Sequence, residues 1–294
     1  MKYKSLSFTL IELLVVIATV GILAGVIIVS MSAATDRATI TKAKVFSNSA
    51  RDSMSNSIVS EWNFDELTTA TSGATIKDSW GANNGILYVG SGDSNDKLRS
   101  SSECVYGKCL YFDGVGDDIV IASSSTLNMN KTMTISIWFK RSSITSDINI
   151  GLVSREGTGG YALILNYLTA DQKIAFIAPT VSYQKMNTAI NDTNWHHLAC
   201  TINENSNSLN FYLDGKLDNA TTSVGVLGEN TNALRIGLRG SIYFTGFIDE
   251  VRLYSTNIPS AEIKQQYFAG LRQLLAKNLI TQQEYNQRLA VYSK

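Results

Sequence analysis

Proline and histidine each occur only twice in 294 residues, and cysteine three times. The two histidines, His196 and His197, are neighbours, and on a strand they would face opposite ways. Only one could then point into any given site. Cys104 and Cys109 lie close together, but no further Cys or His pair stands at ligand spacing nearby, so an ordinary zinc site is not expected. No serine or cysteine sits in a recognisable nucleophile elbow, and no two carboxylates stand out as an acid–base pair. The glycine-rich stretch REGTGGY (155–161) lacks the lysine and following helix of a phosphate loop and reads as a hairpin loop. These absences lead us to expect no enzyme. Charge surplus is missing as well: 25 basic and 25 acidic side chains cancel, and a nucleic-acid binder would normally show a basic face.

What is present begins with the apolar run Phe8 to Met31, FTLIELLVVIATVGILAGVIIVSM. As a helix it would span roughly 36 Å, against a hydrocarbon core of about 30 Å. Lys2 and Lys4 precede it, which would hold that end in the cytoplasm. One carboxylate, Glu12, interrupts the run near its start. An acid in such surroundings is costly and asks for a partner. The basic leader MKYKSLS (1–7) followed by F-T-L-I-E resembles the N-terminus of type IV pilins and pseudopilins. That resemblance implies cleavage between Ser7 and Phe8 by a prepilin peptidase, with methylation of the new Phe8 amine. It implies that Glu12 meets the amine of a neighbouring subunit during assembly, which would relieve two desolvation penalties at once. Its partners would be other pilin subunits and the pilus or secretion assembly machinery. The family usually carries glycine before the cut, where this chain has Ser7. Two alternatives stand beside it: a plain single-pass anchor, and a secretory signal peptide cut after Ser32-Ala33-Ala34.

Ile40, Ala43, Phe46, Ala50, Met54 and Ile58 recur at helical spacing, with no Pro or Gly between Met31 and Ile58. The pattern predicts one long helix over 8–59, with a membrane-spanning first half over about 8–31. A solvated juxtamembrane stalk is the alternative for its second half.

From about residue 60 the period changes to 2. Ile135, Ile137 and Phe139 alternate, as do Leu209, Phe211 and Leu213, and Asp214-Gly215 is a two-residue hairpin signal. Many short strands without intervening helices predict a β-sandwich over 60–256. In ECVYGKCLYF, Gly107 allows a tight turn between Cys104 and Cys109, so a hairpin-closing disulfide is reasonable. Cys200 shares a strand face with Leu198 and Ile202 and reads as a buried free thiol. Beyond Pro259 the helical pattern returns, with Asn278 as a left-handed cap and Thr281-x-x-Glu284 as a capping box. A helical hairpin over 257–294 follows, either packed on the sandwich edge or serving assembly.

Seven strings in order resemble the laminin G-like, concanavalin-type jelly rolls: EWNFDE (61–66), DSWGANNG (78–85), CLYFDGVGDDIVI (109–121), TISIWFKR (134–141), WHHLACTIN (195–203), FYLDGK (211–216) and GFIDEVRLY (246–254). The resemblance implies a two-sheet sandwich that often binds glycans or proteins, frequently with calcium at its rim. It places His196 and His197 in a central strand as packing residues. Asp65, Asp113, Asp117, Asp118 and Asp249 are the acids to inspect for calcium, with Asp113 and Asp249 favoured at strand ends. No dense D-x-D-x-D spacing occurs, and turn-making roles are the alternative. Trp80, Tyr88, Tyr161, Tyr183 and Tyr243 fall in or beside loops, where flat rings suit sugars.

The expected whole is a long N-terminal helix, an all-β jelly-roll sandwich and a short C-terminal helical hairpin. The expected role is a pilin-like filament subunit, made as a single-pass cytoplasmic-membrane precursor and displayed at the cell surface with an adhesive head for a glycan or surface protein. The alternative is a membrane-anchored or secreted carbohydrate-binding module that does not assemble.

Overall fold

The computed structural model describes residues 57–93, 97–129, 131–178, 183–222 and 227–292, together with Val15, Ile17 and Thr19. The chain divides into two units, Met1–Asp52 and Ser53–Lys294. The second holds the strands and the C-terminal helices.

Among the described residues the strands are, in chain order, β1 (Ile58–Trp62), β2 (Thr75–Ile76), β3 (Gly85–Tyr88), β4 (Leu98–Arg99), β5 (Cys109–Asp113), β6 (Asp118–Ile121), β7 (Thr132–Arg141), β8 (Ile150–Arg155) and β9 (Tyr161–Leu165). They continue as β10 (Ile174–Ile177), β11 (Gln184–Lys185), β12 (Trp195–Asn203), β13 (Ser208–Leu213), β14 (Lys216–Thr221), β15 (Leu234–Ile236), β16 (Leu238–Arg239), β17 (Ile242–Tyr243) and β18 (Thr245–Tyr254). Two helices close the chain, α1 (Ser260–Ala276) and α2 (Gln282–Ala290).

Sixteen of these strands form two antiparallel sheets, and β16 and β17 pair as a separate two-stranded ribbon. The first runs β14-β13-β12-β7-β18-β5-β4, with β1 also paired to β18, and the second runs β11-β10-β9-β8-β15-β6-β3-β2. Their facing sides interdigitate as one core that includes Trp62, Phe112, Ile135, Ile137, Phe139, Leu163, Leu198, Phe211 and Ile236. Cys200 lies in that core as a free thiol, and burial pushes its pKa well up. The β13–β14 hairpin turns at Asp214 and Gly215 with φ of 52° and 76°, the left-handed pair that two-residue hairpins need.

The central strands of the first sheet, β7, β12 and β18, are buried on both faces. Its outward side chains Trp138 and Trp195 pack with Tyr267, Leu271 and Leu274 of α1, with Ile280, and with the Cys104–Cys109 disulfide. The C-terminal hairpin therefore covers a sheet face. Asn278 caps α1 at φ 57°, and the Thr281 hydroxyl accepts a hydrogen bond from the Glu284 amide at 3.1 Å. Gly270 sits where α1 crosses the indole: a Cβ there would lie 2.3 Å from Trp138 Cζ2. Gly270→Ala should cost about 1–3 kcal/mol in urea unfolding. An unchanged midpoint would mean that α1 does not seat on Trp138.

The fold expected at the N-terminal end is corrected. Residues from Ile58 onward are strand, because Ile58 pairs with Tyr254 and Trp62 with Val251, so no helix continues to Val59. The longer of the two C-terminal helices has 17 residues and is amphipathic, carrying Lys264 and Arg272. Among the described residues no helix is long and apolar enough to cross a membrane. On that finding the expected membrane-spanning helix over about 8–31, and with it the localisation as a single-pass membrane precursor, is corrected to no spanning helix among the described residues, of which that stretch holds Val15, Ile17 and Thr19. Ser7, Phe8 and Glu12 lie outside the described residues.

Candidate functional site

An open cleft of about 410 Å³ forms where the C-terminal hairpin folds back over the edge of the first sheet. Its walls come from three places: Asn187 and Thr188 on one loop, Leu213 to Asp218 on the β13–β14 hairpin, and Tyr267, Arg288, Val291 and Tyr292 near the end of the chain. Local chemistry sets each wall. The Asp218 carboxylate accepts from the amides of Asn187 and Thr188, and the Asn187 side chain donates to the Asp218 carbonyl at 2.8 Å, which pins the loop to β14. Gly215 lets the hairpin approach α1, since a Cβ there would meet Tyr267 Cβ at 2.9 Å. Arg288 donates to the Trp195 carbonyl at 3.0 Å and pairs with Glu284 at 2.7 Å. The Tyr292 hydroxyl donates to the Asp214 carbonyl, and the Lys264 ammonium lies 4.6 Å from the Tyr292 ring centroid. Leu217 and Val291 are about half exposed, at 50% and 52%, so the cleft offers apolar surface edged by polar groups. A rim of this kind, apolar patches beside hydroxyl, amide and ammonium groups, suits the mixed faces of a sugar.

Beneath the cleft, Asp214 ties two histidines together. Its carboxylate meets His196 Nδ1 at 2.9 Å and accepts from the His197 amide at 2.9 Å. Asp192 meets His196 Nε2 at 3.0 Å. Burial would lower the His196 pKa, but the two carboxylates outweigh it and raise the pKa to about 9. His197 points the other way, beside Trp138 and Ser136 under α1, and burial lowers its pKa to about 3. The hydrogen bond from His196 holds Asp192 down at about 2. The imidazoles are packed against the two faces of β12 as expected, one charged and one neutral.

The acids favoured for calcium are not brought together. Asp93, Asp113 and Asp117 place one carboxylate oxygen each within 4.8 Å of one another, a cluster that does not include Asp249. The Lys97 ammonium stands among them, paired with Asp93, with Asp113 at 2.8 Å and with Asp117 at 2.9 Å. Asp249 is fully buried in β18, accepting from the Tyr106 amide at 3.0 Å; burial, and then Glu250, pushes its pKa well above the usual range. Asp65 accepts from the Lys108 amide at 2.7 Å, and Asp118 pairs with Arg235 at 2.5 Å. Burial raises the pKa of Asp118 against the pull of Arg235.

None of the five aromatic side chains singled out in the sequence lines the cleft. Tyr161 is buried and Trp80 packs beside Ile58, Tyr212 and Tyr254. Tyr88 and Tyr183 are exposed at 50% and 41%, and Tyr183 meets Tyr167 edge-on at 4.8 Å. Sequence reasoning missed Tyr292 and Arg288. The capping box showed where α2 starts, but nothing showed what it folds onto.

A two-sheet jelly roll of this topology, with a rim cleft and an elbow of helices on one face, defines a lectin-type sandwich. Residues 113–264 match the concanavalin A-like lectin/glucanases superfamily, and the chain belongs to that family. No curated protein matches it by sequence. Among solved structures it is similar to domain 4 of an extracellular arabinanase from Geobacillus stearothermophilus, solved with arabinotriose. There the TM-score is 0.53 at 15% identity, covering 70% of this chain and 96% of that one. The binding domain of Paraclostridial Mosquitocidal Protein 1 is similar at a TM-score of 0.55 and 16% identity, covering 74% and 53%. A structure of botulinum neurotoxin type C, whose cell entry is described as dependent on two ganglioside molecules, matches at 0.53 and 12%, covering 74% and 52%. The chain thus spans about half the length of the toxin chains. At these identities the likeness is one of fold.

Proposed function

We propose that this chain is a non-catalytic binding module that holds a short glycan in the cleft between the β13–β14 hairpin and the C-terminal helices. The observation that carries this reading is the cleft itself: about 410 Å³, with half-exposed Leu217 and Val291 beside Thr188, Asn187 and Lys216. That size lies in the range of small-ligand sites. Membership of a lectin-type family, and neighbours solved with or linked to arabinotriose and gangliosides, support the ligand class. The carboxylates nearest the cleft are spent on structure, Asp214 on the histidines and Asp218 on a loop, which leaves no acid–base pair there. The filament-subunit role rests on the resemblance of the F-T-L-I-E segment alone, and no described residue bears on it.

Arabino-oligosaccharides and ganglioside headgroup glycans are the first probes, titrated calorimetrically into the full-length chain. Val291→Arg, which fills the cleft, and Lys216→Glu should each weaken the best binder at least about tenfold, roughly 1.4 kcal/mol. Both positions are exposed, so the fold should be unaffected. Glycan binding that both variants leave intact would place the site elsewhere, and no binding to any glycan would refute the reading.

A further inference from the structure

We propose that Lys97 is a built-in cation: its ammonium permanently fills the position that a calcium ion would take among Asp93, Asp113 and Asp117, making this rim of the sandwich independent of calcium. The inference does not depend on the glycan reading. An ammonium has three N–H donors and no acceptor. Here Nζ is paired with three separate carboxylates, Asp93 Oδ2, Asp113 Oδ2 and Asp117 Oδ2, so every donor has one acid. The lysine side chain is only 3% exposed and Asp117 is fully buried, while Asp93 and Asp113 are part-exposed, so the ammonium is enclosed although the cluster opens at the rim.

The surrounding backbone fixes both sides. The Lys97 amide donates to the Ala70 carbonyl, and its carbonyl accepts from the Tyr111 amide, each at 2.9 Å. Two of the acids are oriented independently of the lysine: Asp117 accepts from the amides of Asp113 and Gly90, and Asp113 Oδ1 accepts from the Val115 amide at 2.7 Å. Gly114 and Gly116, at φ of 88° and 82°, allow the turn that brings Asp113 and Asp117 together. Burial opposes the charge on Lys97, yet its hydrogen bonds to Asp113, Asp93 and Asp117 raise its pKa above the usual value. It therefore stays charged across the neutral range. Calcium asks for six to eight oxygens at 2.3–2.6 Å. Three carboxylate oxygens already gathered around an ammonium cannot also surround the ion unless the lysine leaves a buried position.

The test compares thermal unfolding of the full-length chain in EDTA and in millimolar calcium chloride. The wild type should show the same Tm in both, and calorimetric titration with calcium should show no binding at this cluster. Lys97→Met removes the ammonium while keeping much of the stem. It should lower Tm in EDTA and recover part of the loss in calcium. Because that variant can fail to fold, Lys97→Met combined with Asp113→Asn, which removes one of the facing charges, serves as its partner and should be more stable in EDTA and less responsive to calcium. A wild-type Tm that rises with calcium, with Asp113→Asn abolishing the rise, would overturn the proposal. So would a folded Lys97→Met chain that ignores calcium.

Discussion

Replacing Arg155 with methionine should destabilise the sandwich by at least about 4 kcal/mol, enough to abolish folding at elevated temperature. The side chain is fully buried at the end of β8, and no carboxylate faces it among the described residues. Instead, all five of its N–H donors meet oxygens from separate segments. Nε donates to the Asn232 carbonyl at 3.1 Å, Nη1 to the Leu127 carbonyl at 2.7 Å and Asn128 Oδ1 at 2.8 Å, and Nη2 to Ser123 Oγ at 3.2 Å and the Asn230 carbonyl at 2.5 Å. One guanidinium thus ties the segments 123–128 and 230–232 to the β8–β9 hairpin. Burial lowers its pKa, but an arginine in this setting keeps its proton. Methionine matches the length but leaves buried acceptors unpaired, each costing about 1–3 kcal/mol. Arg155→Lys keeps the charge with fewer donors and no planar fork, and should recover only part of the loss. Urea unfolding measures both; a Met variant within about 1 kcal/mol of wild type would show that these loops hold without the arginine.

The second large effect is on pH dependence. Folding raises the His196 pKa from 6.5 to about 9. Its contribution is therefore complete below pH 6.5 and is lost as pH rises through about 9, a difference of about 3 kcal/mol at about 1.4 kcal/mol per unit. His197 has the opposite sign. Its pKa falls from 6.5 to about 3, so the unfolded chain takes up a proton first, and stability present above pH 6.5 drains as pH falls toward 3. Asp192, lowered from 3.8 to about 2, adds stability above 3.8 that disappears as pH falls through about 2. Together these shifts predict a maximum near neutrality with a falling limb on each side. His196→Asn should flatten the alkaline limb between pH 6.5 and 9 and leave the acid limb in place. Urea midpoints across that range check it. A wild-type profile flat from 6.5 to 9, or an unchanged slope in the variant, would contradict the Asp214–His196–Asp192 network.

What the sequence showed and what it hid follow from the range of the interactions. The Asp214-Gly215 turn, the Thr281 cap and the alternation in β7 are local, and each was legible. EWNFDE and DSWGANNG were recognisable strings because they are one device: Asp78 accepts from the amides of Glu61, Trp80, Gly81 and Asn83, and the Trp62 indole donates to the Asn83 carbonyl. By contrast β8, IGLVSR, is buried at every position, so it has no period-2 signature to read. Ile58 continued a helical stripe by spacing, but pairing with Tyr254 makes it strand. Lys97 is one lysine in a polar run, SGDSNDK, and nothing nearby marks it. It meets Asp113 and Asp117 because β4 pairs with β5. The cleft is hidden for the same reason: three distant segments make it, and the local signals of the hairpin and of the C-terminal helices do not show that they meet.

In the proposed complex a glycan sits against the β13–β14 hairpin and the end of α2. Hydrogen–deuterium exchange of the full-length chain, with and without the oligosaccharide that binds best, tests it most directly. Bound ligand should slow exchange across residues 187–188, 213–218 and 288–292, the segments that wall the cleft. Protection confined to the Tyr167–Tyr183 surface, or no protection under saturating oligosaccharide, would contradict it.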